Sequence, residues 1–184
     1  MSTFIEELEM RLQERFPPME TEQTRVEAKN DEAEDSADDA TDAPAPSAAP
    51  CERMEFSKVG INLKLSVKPT QVIEAARLMD EYGFAIDMIT GVDWPEDSQL
   101  ELIYDFLHFE SYTRVAVHTR IPRDDAKIES LTAVYPGANW HERETAEFFG
   151  IDFINHPNLI NLLLPEDMVG YPLRKDFKPE PSPY

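Results

Sequence analysis

The sequence predicts an α+β fold: a two-layer domain with a mostly antiparallel sheet covered by helices, preceded by a disordered acidic N-terminal linker and followed by an extended C-terminal tail. Two observations predict this class. From about residue 53, the apolar residues follow first a strand pattern, then a helix pattern, and then three further strand patterns. Short connections join these last three strands. Beyond residue 150, prolines recur too often for long regular elements.

Residues 1–18 predict a short amphipathic helix, over about residues 3–16. Its apolar residues recur at helical spacing and two prolines end it: Phe4, Ile5, Leu8, Leu12, Phe16, Pro17 and Pro18. A helix of this length is marginal on its own. Three alternatives therefore stay open at this point: its apolar face docks on the domain, docks on a partner, or stays frayed.

Residues 19–52 form the predicted linker. No lysine or arginine occurs from Asn30 to Glu52, and alanine, proline and serine fill most positions that are not acidic. Such a segment cannot bury enough apolar surface to offset its chain entropy, so we expect disorder. Cys51 lies at its end with no assigned role, and a single cysteine excludes a disulfide within the chain and a cysteine-rich metal or cluster site.

The charge of the chain limits its partners. Its 37 acidic and 17 basic residues give a net charge of −20, which repels both a phosphate backbone and an anionic membrane surface. We therefore expect no nucleic acid as a partner. No apolar run reaches the length of a membrane helix, and the charged N-terminus lacks the apolar core of a signal peptide. At a membrane, this chain would be held through partners only.

Residues 53–150 make up the predicted α+β domain. Apolar and polar residues alternate from Ile61 to Val67, which predicts a strand, and Pro69 then opens a helix that ends before Gly83. Three further strand patterns follow, over residues 84–94, 100–109 and 112–122.

Two helical segments complete the predicted domain. Asp124 or Asp125 is expected to cap one or two helical turns. The longer helix begins near Asn139, which forms a variant of the capping box with Glu142 three residues on, and it ends at Gly150.

The longer helix predicts a specific surface. Trp140, Glu144 and Phe148 share one side at helical spacing, so Glu144 would lie partly desolvated between two aromatic rings and need a cation or backbone donors. Arg143 and Glu147 would pair on a neighbouring stripe. The alternative, an ordinary surface helix with a weak salt bridge, stays equally open.

Residues 151–184 predict an extended partner-binding tail. Apolar residues are frequent there, but prolines interrupt them: Ile151, Phe153, Leu159, Ile160, Leu162, Leu163 and Leu164, with Pro157, Pro165, Pro172 and Pro179. Unpaired backbone in such a segment suits lying along another protein. A tail folded back on its own domain is the alternative.

The sequence predicts no catalytic, cofactor-binding or metal-binding residue in this chain. None of the six glycines belongs to a GxGxxG or P-loop motif. The segment HERET at 141–145 begins like the zinc motif HExxH, but Thr145 stands at the second histidine position. His141 and Glu144 could share a helical face as metal ligands, but no second such pair occurs.

One long ordered motif remains, WHERETAEFFGIDFINHPNL followed by LLLPEDMVGYPLRKDF. It resembles the signature of the 30 kDa subunit family of respiratory complex I, the NADH-quinone oxidoreductase. The resemblance extends more weakly over VDWPED, LELIYDFLHF and RVAVHTRIP, so it covers about residues 60–179. One departure is Ala146-Glu147, where the family commonly has an aromatic–aspartate pair.

The resemblance implies a non-catalytic structural subunit of the peripheral arm of proton-translocating NADH:quinone oxidoreductase. Its partners would be the large quinone-site subunit of the 49 kDa type, which it braces, and other subunits of the peripheral arm. FMN, iron–sulfur clusters and quinone would be held by those other subunits. The chain would lie at the cytoplasmic face of the cell inner membrane, as a peripheral protein. The residues that the resemblance implies at the interface are Trp140, Glu142, Arg143, Glu144, Phe149, Gly150, His156, Pro157, Pro165, Gly170, Pro172, Leu173, Arg174, Lys175 and Asp176.

Two alternatives stay open. The first is a homologous subunit of a membrane-bound hydrogenase or formate hydrogenlyase. The second, of another class, is a stand-alone small enzyme or metalloprotein.

Overall fold

The structure, a computed structural model, describes residues 2–17 and 50–179. Its helices are α1 (Ser2–Arg15), α2 (Phe56–Val59), α3 (Val72–Glu81) and α4 (Ala138–Phe149). Its strands are β1 (Cys51–Arg53), β2 (Leu63–Ser66), β3 (Ala85–Trp94), β4 (Gln99–His108), β5 (Thr113–Pro122), β6 (Lys127–Glu129) and β7 (Asp152–Ile154). Short 3₁₀ turns cover Pro69–Gln71, Pro95–Asp97 and Leu131–Ala133.

Five strands form one sheet in the order β1-β2-β5-β4-β3. All neighbours are antiparallel except β2 and β5, which run parallel. The strands β6 and β7 form a separate parallel pair. The predicted α+β class, with a mostly antiparallel sheet and helices, is therefore confirmed.

The core lies on one face of this sheet. Alternate residues of β4 are almost fully buried, namely Leu100, Leu102, Tyr104 and Phe106. Because side chains of a strand point to opposite faces in turn, this alternation places one apolar row against the helices. The helix α3 contributes Val72, Ala75, Ala76 and Met79 to the same core.

The helix α1 packs on the domain, which is the first of the three alternatives that its sequence leaves open. Leu8, Leu12 and Phe16 have at most 1% of their surface exposed. Near the start of α1, the Phe4 ring stacks on Phe84 and lies 4.9 Å from the His108 ring. The apolar stripe that marks the helix in the sequence is thus the stripe that it buries.

The strand β1 corrects the C-terminal boundary of the predicted linker. Cys51 is buried and pairs with Leu65 of β2, so residues 51–52 belong to the sheet. Burial raises the pKa of the Cys51 thiol to about 12, which keeps it protonated. The rest of the predicted linker, residues 19–49, lies outside the described residues.

Between β5 and α4, the predicted aspartate-capped turns are wrong. Residues 127–129 form β6, whose Ile128 is buried, and a 3₁₀ turn follows. Ser130 caps that turn by accepting the N–H of Thr132 at 3.1 Å. Pairing with β7 holds this segment extended, and β7 lies too far along the chain for a local pattern to reveal it.

The strand β7 also corrects the start of the predicted tail. Ile151 and Phe153 are buried in the core. The first residues after α4 are therefore part of the domain, and the irregular segment begins near Asn155, where φ is +64°. Among the described helices, none is both long and apolar enough to cross a bilayer.

Candidate docking surface

The orientation of α4 differs from the prediction. Its buried stripe is Ala138, Glu142, Thr145 and Phe149, whereas Glu144 is exposed. Close packing on β3 sets this orientation, because a Cβ at Gly91 would lie 2.7 Å from the Phe149 ring. The prediction of Glu144 as a desolvated carboxylate between two aromatic rings is therefore wrong.

Glu142 is the carboxylate that α4 places in the core. It accepts hydrogen bonds from Ser130 Oγ and from the backbone N–H of Leu131, both at 2.6 Å. These bonds favour the charged form, but burial outweighs them and raises the pKa of Glu142 to about 7. The predicted capping box with Asn139 is also wrong, because the Glu142 side chain binds another loop and the helix begins one residue earlier at Ala138.

Glu147, on another side of α4, binds the backbone of the segment after β7. Its carboxylate accepts the consecutive N–H groups of Leu162, Leu163 and Leu164, at 2.9, 3.0 and 3.0 Å. Backbone donors aimed at one carboxylate make charge-assisted hydrogen bonds, which are stronger than neutral ones. One side chain thereby fixes three residues of an irregular segment.

Arg143 holds the same segment from its carbonyl side. Its guanidinium donates to the carbonyl oxygens of Ile160 at 2.9 Å and Asn161 at 3.0 Å, and it lies 5.2 Å from the Trp140 ring. Arg143 and Glu147 therefore do not pair with each other as expected. Each of them binds the backbone of residues 160–164 instead. The alternative of a simple surface salt bridge does not describe this helix.

Six exposed apolar side chains occur within residues 160–173, and we call this set the apolar ridge: Ile160, Leu163, Met168, Val169, Tyr171 and Leu173. Between 37% and 71% of the surface of each residue is exposed. Single exposed apolar residues are common on proteins, but several within one short segment make that segment a candidate interaction site. Trp140, 58% exposed, lies next to the ridge through its contact with Arg143.

The basic end of the C-terminal segment binds its own domain. Arg174 Nε donates to the carbonyl of Phe149 at 2.8 Å, and the N–H of Lys175 donates to Asp93 at 2.8 Å. Asp176 pairs with Arg123, which also binds Asp93. In the described part of the chain, this stretch of the predicted tail therefore folds back.

A close contact joins α4 to this fold-back. Gly150 ends the helix with φ at +71°, and the Tyr171 ring lies directly over its Cα, where any Cβ would overlap the ring. Arg174 stacks on the same aromatic ring, 4.8 Å from the Tyr171 ring centre. The glycine predicted as a helix stop is thus also required for packing.

The fifteen residues of the predicted interface fall into three groups. Glu142 and Phe149 are buried. Five others are partly covered by their own domain: Arg143, Gly150, His156, Pro172 and Arg174. The exposed ones are Trp140, Glu144, Pro157, Pro165, Gly170, Leu173, Lys175 and Asp176. Their role in binding a partner stays a prediction.

The sequence did not reveal which residues of the domain hold the basic end of the C-terminal segment, residues 174–176. Asp93 and Trp94 of β3 and Arg123 after β5 receive the basic end, with Lys175 Nζ 5.5 Å from the Trp94 ring centre. No local pattern marks these contacts, since they join positions about 50 to 80 residues apart. One signal in the sequence did point to Glu147: it belongs to the Ala146-Glu147 pair, which departs from the family motif.

The comparisons with known proteins agree with this architecture. Residues 65–183 match the family model of the respiratory-chain NADH dehydrogenase 30 Kd subunit. The chain is 45% identical over 95 residues to a subunit of the F(420)H(2) dehydrogenase of Methanosarcina mazei, covering 51% of this chain and 60% of that protein. It is 36% identical over 122 residues to a subunit of the NADH-quinone oxidoreductase of Moorella thermoacetica, covering 65% and 82% respectively.

Solved structures show the same fold. A chain of the membrane-bound sulfane sulfur reductase, an archaeal respiratory membrane complex, superposes with a TM-score of 0.60 at 26% identity, over 94% of this chain and 85% of that one. A trypsin-resistant fragment of Nqo5 superposes with a TM-score of 0.52 at 24% identity, over 60% and 89%.

The fold and these relatives define a class, the subunits of multi-subunit respiratory complexes. Within that class, the chain belongs to the family of the 30 kDa subunit of respiratory-chain NADH dehydrogenase, together with the matching subunits of bacterial NADH-quinone oxidoreductases. The resemblance that the motif indicates is confirmed.

Proposed function

We propose that this chain is a non-catalytic structural subunit in the peripheral arm of a proton-translocating NADH:quinone oxidoreductase, where it braces the large quinone-site subunit. The observation that supports this most directly is the apolar ridge, whose first part, residues 160–164, is held by Glu147 and Arg143. In the proposal, FMN, iron–sulfur clusters and quinone are bound by other subunits. The chain then lies at the cytoplasmic face of the cell inner membrane through its partners.

The physical basis for bracing is preorganisation. A flexible segment loses conformational entropy when it binds, which reduces affinity. Here two α4 side chains already fix five backbone groups of residues 160–164: Arg143 donates to two carbonyl oxygens, and Glu147 accepts from three N–H groups. This part of the ridge can then contribute its apolar area to a partner with little further ordering.

Serine substitutions on the ridge test this proposal without disturbing the fold. The double variant Leu163→Ser/Val169→Ser removes two side chains that are 63% and 71% exposed. We expect at least about tenfold weaker binding to the cognate large quinone-site subunit, since buried apolar anchors dominate interface energies. Co-expression and affinity purification from the native membrane complex measure the loss.

A matched control is available elsewhere on the chain. Met10→Ser/Phe109→Ser removes two side chains of similar exposure, 68% and 65%, outside the ridge. This control should bind like the wild-type chain. Equal binding by both double variants would refute the ridge as the docking surface.

A second candidate function is the corresponding subunit of a related membrane-bound complex, such as a hydrogenase or formate hydrogenlyase. The similarity to a subunit of an F(420)H(2) dehydrogenase and to a chain of a sulfane sulfur reductase complex supports this second candidate. Purification of the tagged chain with its complex separates the two: an NADH-binding flavoprotein among the co-purified subunits supports the first, and a nickel–iron subunit the second.

A stand-alone enzyme or metalloprotein is the remaining alternative. In residues 2–17 and 50–179, no group of three or more metal-binding side chains lies close enough to hold an ion. Bound metal or turnover by the purified chain without partners would support this alternative and contradict a purely structural role.

A further inference from the structure

A small pocket lies beside the apolar ridge, between the C-terminal half of α4, the start of β7 and residues 159–171. We call it the α4 pocket. Three of the six ridge residues line it, Ile160, Met168 and Tyr171. Its volume is about 260 Å³, which is below the range of about 300–1,000 Å³ that is usual for small-molecule sites. A single long side chain of a docked partner suits this space better than a cofactor does.

The small side chain of Ala146 leaves this space open. Ala146 lines the pocket from α4 and stays partly exposed, although it packs against the core. A larger side chain at this position would extend into the pocket. Position 146 is also where the sequence departs from the family motif, which commonly has an aromatic residue there. The departure therefore leaves room for a side chain from outside the chain.

The charges around the α4 pocket favour a cation. Its charged lining residues are two acids, Glu147 and Asp152, and one base, Arg143, which together give a net charge of −1. The Arg143 guanidinium already donates to the carbonyl oxygens of residues 160–161. The pocket also lies at the C-terminal end of α4, where the helix dipole places partial negative charge. A positively charged side chain is thus the complementary occupant.

Asp152 is the carboxylate that is available to such a cation. Glu147 already accepts three backbone N–H groups of the neighbouring segment. The Asp152 side chain is exposed, and within residues 2–17 and 50–179 it has no hydrogen-bond or ion-pair partner. Lys127, its neighbour on β6, pairs with Asp125 instead. Asp152 can therefore bind a partner's cation without giving up a contact of its own.

We propose that the α4 pocket receives an arginine side chain of the large quinone-site subunit. This inference rests on the proposed function, because it assumes that the ridge docks on that subunit. The aliphatic part of the arginine lies along Ala146 and Met168, and its guanidinium donates to Asp152. Arginine fits better than lysine, since its planar guanidinium binds a carboxylate through two N–H groups at once. Arginines in pockets are also among the residues that dominate interface energies.

Binding of the large quinone-site subunit by variants of the full-length chain tests the pocket. Asp152→Asn removes the charge with little change in size, and we expect at least about tenfold weaker binding. The matched control is Asp167→Asn, the same change at an exposed aspartate that does not line the pocket. It should bind like the wild-type chain. Co-expression and affinity purification measure both variants, and thermal unfolding checks that both are folded.

Variants of Ala146 test the space itself. Ala146→Leu fills part of the pocket and should weaken binding, whereas Ala146→Ser keeps it open and should bind like the wild-type chain. Loss of binding in Ala146→Leu together with normal binding in Asp152→Asn would indicate an apolar occupant and overturn the proposal. If Ala146→Leu does not fold, Asp152→Asn decides alone, because its position is exposed.

A double-mutant cycle identifies the arginine. Each surface arginine of the large subunit is replaced with alanine, alone and together with Asp152→Asn. We expect one of these replacements to add no further loss in the Asp152→Asn background, because the two groups act as a pair. Additive losses for every arginine, or equal binding by Asp152→Asn and Asp167→Asn, would overturn the proposal.

The pocket and the ridge can fail separately. Leu163 and Val169, which the ridge test replaces, do not line the pocket. Weaker binding by Leu163→Ser/Val169→Ser with normal binding by Asp152→Asn would overturn the pocket and leave the ridge. The opposite result would refute the ridge and support the pocket.

Discussion

Asp93 and Arg123 form a two-pronged ion pair, with Nε to Oδ1 at 2.8 Å and Nη2 to Oδ2 at 3.2 Å. The Asp93 side chain is only 1% exposed. The same carboxylate accepts the N–H of Lys175, and Arg123 also pairs with Asp176. A single buried carboxylate thus connects β3, the end of β5 and the C-terminal segment.

Replacing Asp93 with Asn should destabilise the domain strongly. Removing one partner of a buried ion pair leaves the other uncompensated, which costs about 3 kcal/mol in free energy of unfolding. Asp97→Asn, at the exposed ion pair with Arg120, should cost less than about 1 kcal/mol. Urea unfolding of both variants measures the difference, and equal costs would contradict a structural role for the Asp93 pair.

The stability of the chain should depend on pH through Glu142. The pKa of this group is about 7 in the folded chain against an ordinary value of 4.5. Between these values the folded chain keeps a proton that the unfolded chain has lost, so the free energy of unfolding falls as pH rises, by on the order of 3 kcal/mol. Urea unfolding from pH 4.5 to pH 8 measures this slope.

The control for the pH slope is Glu142→Gln, which has no ionisable group at this position. Its stability should lack the Glu142 contribution, so its curve should be flatter over the same range. A wild-type slope that persists unchanged in Glu142→Gln would show that other groups cause it.

Two glycines with similar positive φ should respond differently to alanine. Gly60 and Gly150 have φ of +74° and +71°, so alanine at either adds about 1 kcal/mol of backbone strain. A Cβ at Gly60 meets nothing within 4 Å, whereas one at Gly150 overlaps Tyr171. We therefore expect Gly150→Ala to cost about 1–3 kcal/mol more than Gly60→Ala in thermal or urea unfolding.

The double variant Gly150→Ala/Tyr171→Ala separates strain from overlap. If the Tyr171 ring causes the excess cost, Gly150→Ala should be milder in a Tyr171→Ala background than in the wild-type chain. Simple additivity of the two changes would contradict a direct contact.

The helix α1 should unfold together with the domain. Leu12 is fully buried, and Leu12→Ala should lower the free energy of unfolding by about 2–4 kcal/mol, through lost burial and a cavity. Met10→Ala, at a 68% exposed position of the same helix, should change it by less than about 0.5 kcal/mol. Urea unfolding monitored by circular dichroism tests this, and a small effect of Leu12→Ala would mean that α1 is not part of the cooperative unit.

Much of the fold follows from local patterns. The alternation in β4 identifies its buried face because a strand has a period of two residues and one face meets the helices. The stripe of Leu8, Leu12 and Phe16 likewise identifies the buried face of α1. Gly83 and Gly150 end their helices as predicted, since both adopt positive φ.

The candidate site is less predictable, and α4 shows why. Trp140 and Phe148 suggest one apolar side, whereas the helix buries the stripe that contains Glu142 and Phe149. A helix with few apolar residues does not specify its own orientation. Here the space above Gly91 on β3 selects the stripe.

By itself, the sequence determined the α+β class, most element positions and, through one long motif, the family. Only the tertiary structure decided which carboxylates of α4 are buried and what the C-terminal segment touches. The physical reason is range: strand and helix periodicity is written in neighbouring residues, but the contact of Asp93 with Lys175 joins residues 82 positions apart. Such pairings depend on the packed fold as a whole.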